Sequence, residues 1–123
     1  MTVATNRLGR IGEQVAVRNL ESLGYTIIQR NWRAAEGDLR GEVDIVARDG
    51  TELVFCEVKT RRRSPDGDHA LAAVSPTKQR QLRRLAIAFL ATRPTRDVRF
   101  DVVAVTWPPS GGGPVVTHIK GAF

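Results

Sequence analysis

The sequence is short of the residues that build disulfides and soft-metal sites. Its 123 residues include one cysteine, Cys56, and two histidines, His69 and His118. A lone cysteine excludes an intramolecular disulfide and fits a reducing cytoplasm, the expected location. No companion ligand stands at a zinc-binding spacing, so neither histidine is assigned to a metal. His118, in a late strand, is read as structural, and Cys56 as buried and unreactive. No apolar run approaches the roughly 18 residues a membrane helix needs. The opening stretch MTVATNRLGR lacks the apolar core of a secretory signal. No linker or repeat divides the chain. Residues 1–123 are therefore expected to form one domain, long enough to bury a core unaided.

Acidic residues are in deficit too. Nineteen Lys and Arg stand against 13 Asp and Glu, a formal net charge of +6, and the sequence pI is about 10.7. The surplus is localised. From residue 59 to residue 84, Lys59, Arg61, Arg62, Arg63, Lys78, Arg80, Arg83 and Arg84 face only Asp66 and Asp68, while the rest of the chain is balanced. A single basic segment is what a phosphate-binding face requires, and a pI this high is typical of nucleic-acid-binding domains.

Hydrophobic spacing sets out the elements. Leu8, Ile11, Val15, Ala16, Leu20 and Leu23 recur near every 3.6 residues, which predicts a helix over 7–23 stopped by Gly24. Strands are expected over about 25–32, 42–48 and 52–60, the last two joined by a hairpin turn at Asp49-Gly50. Residues 34–41 read as a loop. Residues 61–75 read as irregular, with a turn at Ser64-Pro65-Asp66-Gly67 and room for a helical turn near Ala70–Val74. Ser75 as N-cap and Pro76 at the first helical position open a second helix, whose stripe is Leu82, Leu85, Ala86 and Phe89. Strands over about 98–106 and 115–119 follow a break at the prolines and glycines. The order αβββαβ(β) places the chain in the α/β or α+β class, helices packed on a sheet.

The central hairpin carries the chemistry. Residues two apart on a strand share a face, so Glu57 and Lys59 point the same way. With Asp49-Gly50 as the turn, Arg48 pairs with Thr51, Asp44 with Phe55 and Glu42 with Glu57. Asp44 then lies diagonal to Glu57 on one face, roughly 7–8 Å away. Carboxylates brought this close repel unless a cation sits between them, and Mg²⁺ (or Mn²⁺) takes such oxygen ligands together with phosphate oxygens. A lysine beside them suits the charge that builds on a phosphate under attack. Glu13, at the edge of the first helix's apolar arc, is either a third acidic ligand or a surface glutamate. Lys78, on the inward stripe of the second helix, is aimed at phosphate or at the acidic site, or snorkels. Asp101 is a ligand or, more simply, the partner of an arginine such as Arg30 or Arg99. Trp32 belongs to the core or stacks on a base.

Several ordered blocks resemble one family from end to end. They are Gly12-Glu13, Gly24-Tyr25, Arg30-Asn31-Trp32-Arg33, Gly41-Glu42-Val43-Asp44, the run from Val54 to Arg61, Lys78, Arg99-Phe100-Asp101-Val102-Val103 and Ala122-Phe123. The chain resembles the YraN family of small bacterial proteins, predicted nucleases distantly related to archaeal Holliday-junction resolvases. The resemblance implies a restriction-endonuclease-like fold of the PD-(D/E)xK kind, with an αβββαβ core and a mixed central sheet flanked by helices. It puts Glu13, Asp44, Glu57 and Lys59 in the metal and catalytic places. Cys56 stands where the family carries an aliphatic residue, and residues 63–73, with His69, are less typical.

The expected function is a Mg²⁺-dependent endonuclease acting on DNA, preferentially structured or branched. Asp44, Glu57 and Glu13 would hold the metal, while Arg61, Arg62, Arg63, Lys78, Arg80, Arg83 and Arg84 would contact the backbone of the nucleic acid. RNA is the alternative substrate. A binding protein that keeps the fold without turnover is the alternative function. No membrane partner is expected. A homodimer is the assembly with which such an enzyme would cut two strands, although no feature of the sequence marks an interface.

Overall fold

The computed structural model describes residues 3–35, 37–62, 74–93, 97–109 and 111–123, without the side chains of residues 3–6 and 62. The elements run α1 (Val3–Ser22), β1 (Thr26–Trp32), β2 (Val43–Asp49), β3 (Glu52–Arg62), α2 (Pro76–Leu90), β4 (Val98–Trp107) and β5 (Val115–Ile119). The strands form one mixed α/β sheet in the order β1-β2-β3-β4-β5. Among the described strands only β3 and β4 pair in parallel. Parallel neighbours need a crossover, and α2 lies within it.

The helices cover opposite faces. Alternation along β3 sends Val54 and Cys56 toward α1, where they meet Ala16, Val17, Leu20, Ile45, Val103 and Val105. Leu53 and Phe55 go the other way, to Leu82, Leu85, Ala86 and Phe89 of α2. Trp32 packs edge-on against Phe89 with ring centroids 5.1 Å apart, so it belongs to this second core. Cys56 is fully buried, and burial pushes its thiol well above the ordinary range. Among the described residues no helix is long and apolar enough to cross a membrane.

The local stop and start signals act as expected. Gly24 has φ 91, and the Gly24 N–H donates to Glu21 O while the Tyr25 N–H donates to Leu20 O. This double bond is the Schellman motif, which needs a left-handed residue after the helix. At α2 the Ser75 hydroxyl accepts the Lys78 N–H at 3.1 Å, with Pro76 behind it. Helix α1 starts four residues earlier than expected, in a stretch that precedes the apolar stripe. Strand β3 runs to Arg62 because its polar end pairs with Thr106 and Trp107 of β4. The expected turn at residues 64–67 and the helical turn near 70–74 fall largely outside the described residues.

The hairpin register differs from the expected one. Asp49 pairs with Glu52 and Ile45 with Cys56, so the central turn residues are Gly50 and Thr51. Gly50 has φ 60 while Thr51 is not left-handed. That is the type II′ pattern, with glycine at the first central position, whereas Asp-Gly at the centre would be type I′. The whole ladder is displaced by two residues. Because the displacement is even, every side chain keeps its face. What changes is the neighbour: one step beyond Ile45 and Cys56, Asp44 comes to lie directly opposite Glu57.

Candidate metal and phosphate site

Three polar residues line up across three strands. The pairs Arg30–Ile45 and Trp32–Val43 bracket Asn31 and Asp44, and Asp44 in turn faces Glu57. The β2–β3 ladder stops at Ile45–Cys56. Beyond it the Val58 N–H donates to Asp44 Oδ2 at 2.8 Å, a side-chain carboxylate standing in for a strand partner. Gly12 completes the arrangement from α1. A Cβ there would come within 1.9 Å of Thr60 Oγ1, so only glycine lets the helix lie this close to β3. The neighbouring Glu13 thereby reaches the end of the sheet.

Glu57 is 6% exposed. Its Oε1 lies 3.8 Å from Lys59 Nζ and its Oε2 lies 3.9 Å from Lys78 Nζ. Both are ion-pair distances too long for hydrogen bonds, and Oε2 is buried without a hydrogen-bond partner. Burial pushes the Glu57 carboxyl up, against the pull of Lys78 and Lys59. Asp44 is pushed up to about 7, first by burial and then by Glu57, with the Val58 N–H opposing. A buried and a half-buried carboxylate that resist ionisation side by side, the buried one with an orphaned oxygen, suit a bound cation.

Glu13, Asn31, Glu42, Asp44 and Glu57 line a cleft of about 670 Å³, with Arg10 of α1 on its wall. Asn31 Nδ2 donates to Glu13 Oε1 at 2.8 Å and to Glu42 Oε1 at 3.2 Å. Arg33 Nε donates to Glu42 Oε2 at 3.0 Å. Among the described residues no three carboxylate, imidazole or thiol groups converge as a ready-made metal cage. Asp44 and Glu57 are a pair, and Glu13 lines the same cleft and pushes both carboxyls further up without completing such a cage. A pair of carboxylates is the usual protein share of a Mg²⁺ site, water and phosphate supplying the rest.

The remaining basic residues spread outward. Arg61, Arg80, Arg83 and Arg84 are exposed. Arg80 bonds Thr77 within the first turn of α2, and the Arg83 guanidinium sits over the rings of Phe100 and Phe123. The Arg62 side chain, Arg63 and His69 lie outside the described residues. Asn31 was given no role in the sequence reading beyond its place in a family block, although an asparagine inside a strand is a signal in itself, since strands are depleted of it.

Asp101 belongs to a different cluster, nearer the β2–β3 turn. It is fully buried and accepts from Arg99 Nε at 2.8 Å and Nη2 at 3.0 Å, and from the Gly121 N–H at 3.0 Å. His118 Nε2 lies 2.7 Å from Oδ2, the oxygen that also accepts from Arg99 Nη2. Burial pushes this carboxyl up, but the bonds from His118 and Arg99 outweigh it and hold the group at about 2. Arg99 also reaches Asp49, Glu52 and the Tyr25 hydroxyl. Asp101 is thus the partner of Arg99, and His118 is part of the same knot.

Comparison with known proteins agrees with the blocks quoted above. Residues 12–105 match the profile of Uncharacterised protein family UPF0102. A UPF0102 protein of Streptomyces griseus is 50% identical over 121 residues, covering 96% of this chain and 97% of its own. Another, of Frankia alni, is 50% identical over 123 residues, with 98% and 97% covered. A more distant one, of Geotalea daltonii, is 45% identical over 118 residues, covering 94% and 88%. This chain belongs to the UPF0102 family, also called YraN.

Proposed function

We propose that the protein is a divalent-metal-dependent phosphodiesterase of the PD-(D/E)xK kind, built on a restriction-endonuclease-like core and acting on structured or branched DNA. One observation carries the reading: Glu57 is buried, has an oxygen without a hydrogen bond, stands opposite Asp44, and has two lysines within 4 Å. A purely structural glutamate would be satisfied or paired at hydrogen-bond distance.

Asp44 and Glu57 would hold the ion, with Glu13 in the lining of the same cleft. Mg²⁺ or Mn²⁺, when bound, acidifies a water molecule and offsets charge on the scissile phosphate. Lys59 and Lys78 would keep the pair from repelling an incoming phosphodiester, and Lys59, 3.8 Å from Glu57, would neutralise charge building on that phosphate. Arg61, Arg62 and Arg63 continue from the same strand, and Arg80, Arg83 and Arg84 follow on α2. Together they form the basic segment that would contact the backbone.

The test is incubation of the protein with linear, nicked, flapped and four-way DNA in Mg²⁺, Mn²⁺ or EDTA. Cleavage is expected with either metal, and it should vanish in EDTA and in Asp44→Asn and Glu57→Gln. Salt-dependent binding with no cleavage under any metal overturns the reading in favour of a non-catalytic binding protein. Faster turnover of RNA would instead reassign the substrate.

A further inference from the structure

We propose that Asn31 is a positioning residue, whose amide holds Glu13 and Glu42 together in the cleft beside Asp44 and Glu57. The inference rests on the metal-dependent reading of that cleft. Among the described residues Asn31 is the only non-glycine with positive φ, at 51°. A left-handed residue inside a strand is strained, and such strain gathers at functional sites. The residue is exposed, so deep burial does not offset the strain.

The amide nitrogen lies 2.8 Å from Glu13, on α1, and 3.2 Å from Glu42, in the segment before β2. Two carboxylates from separate elements would otherwise drift apart through mutual repulsion. Through one donor group they are fixed in a row with Asp44 and Glu57, and Arg33 anchors Glu42 from its other side. Residues of this kind, one step removed from the ion, set the geometry and charge that the ion meets.

A rival explanation is conformational. The left-handed turn at Asn31 also aims Trp32 at Phe89, and asparagine tolerates that backbone better than most residues. Asn31→Gly separates the two, because glycine keeps the backbone and deletes the amide. Asn31→Asp is nearly isosteric and adds a negative charge where the donor stood.

Both variants are compared with wild type by metal-free crystal structure, by Mn²⁺ titration calorimetry and by cleavage kinetics. In Asn31→Gly the Glu13 and Glu42 carboxylates should separate while Trp32 stays in place. Mn²⁺ affinity should fall about tenfold or more, and kcat should fall with KM for DNA little changed. Asn31→Asp should lose more. Unmoved carboxylates together with Mn²⁺ affinity within about twofold of wild type in Asn31→Gly overturn the proposal. A wild type that binds no Mn²⁺ defeats the metal reading, and the metal-free structures then decide the role of Asn31 on their own. If Asn31→Gly does not fold, the same comparison is made with Asn31→Asp, where carboxylates that stay together overturn the proposal.

Discussion

Two glycines three residues apart in α1 should respond to the same substitution with opposite signs. An added methyl at Gly9 meets nothing within 4 Å, whereas at Gly12 it meets Thr60 Oγ1 at 1.9 Å, Cγ2 at 2.8 Å and Cβ at 2.9 Å. Alanine in a helix interior gains about 0.5–1 kcal/mol over glycine by restricting the unfolded chain. Gly9→Ala should keep that gain. At Gly12 the closest contacts can swing away with the Thr60 side chain, but Thr60 Cβ is fixed to the strand backbone. The helix must then lift, and overpacking of this sort costs about 1–3 kcal/mol. The net loss should be about 1–2 kcal/mol. For a chain of this size that lowers the melting temperature by about 3–10 °C, while Gly9→Ala raises it by a few degrees. Urea titrations and thermal melts of both variants measure the difference. A Gly12→Ala/Thr60→Gly double variant should show favourable coupling, since the obstacle is gone. Equal stability of the two alanine variants, or no coupling with Thr60, refutes the close packing of α1 on β3.

Other consequences concern charge. Asp44 sits at about 7 when folded but near 3.9 in an unfolded chain. The native state therefore keeps a proton that the unfolded state has lost. Stability should be greatest at the acid end of that window and decline as pH rises from about 4 to about 7. Asp101, held at about 2, acts in the opposite sense: its contribution is present above about pH 4 and is lost as pH falls toward 2. Chemical denaturation across pH should show the decline in wild type and a flatter profile in Asp44→Asn; a wild-type profile that rises toward neutrality would contradict the burial of Asp44. Glu57→Gln should lose Mn²⁺ binding and cleavage yet melt no lower than wild type, because a buried charge has been removed; a marked fall in melting temperature would make Glu57 structural. Lys59→Met should slow cleavage by about 100-fold while keeping Mn²⁺ affinity, and parallel loss of both would remove Lys59 from the chemistry. Asp101→Ala takes from half-buried Arg99 and from His118 the carboxylate they share, leaving Arg99 the carboxylates of Asp49 and Glu52, and should cost about 1–3 kcal/mol, with cleavage per folded molecule unchanged.

Features with local causes were legible in the sequence. Gly24 stops α1 and Ser75 caps α2 because each signal acts on the backbone within a few residues. Alternation likewise placed Glu57 and Lys59 on one face. The hairpin turn was misplaced by one residue because Asp49-Gly50 suits a type I′ centre, while Gly50-Thr51 suits type II′, and dipeptide identity does not choose between them. The face assignment of Asp44 survived only because the resulting register change was even. Long-range contacts were not legible. The bond from Asn31 to Glu13 depends on the angle at which α1 crosses the sheet, and that angle is set by a missing Cβ at Gly12. Arg99 was one of two candidate partners for Asp101; the two share a face of β4, while Arg30 lies on β1, with β2 and β3 between, and donates to Gln14 of α1.

The knot around Asp101 gives the molecule a division of labour. It fastens the β2–β3 hairpin, β4, β5 and the chain just beyond β5 through charges that are fully satisfied. Farther along the sheet, the cleft concentrates charges that are not. Mutations should therefore fall into two populations in a library screened separately for folding and for activity. Changes around Asp101 will be lost at the folding screen, and changes around Asp44 and Glu57 will pass it and fail only the second. A protein organised this way can explore new substrates at the cleft without endangering its own architecture.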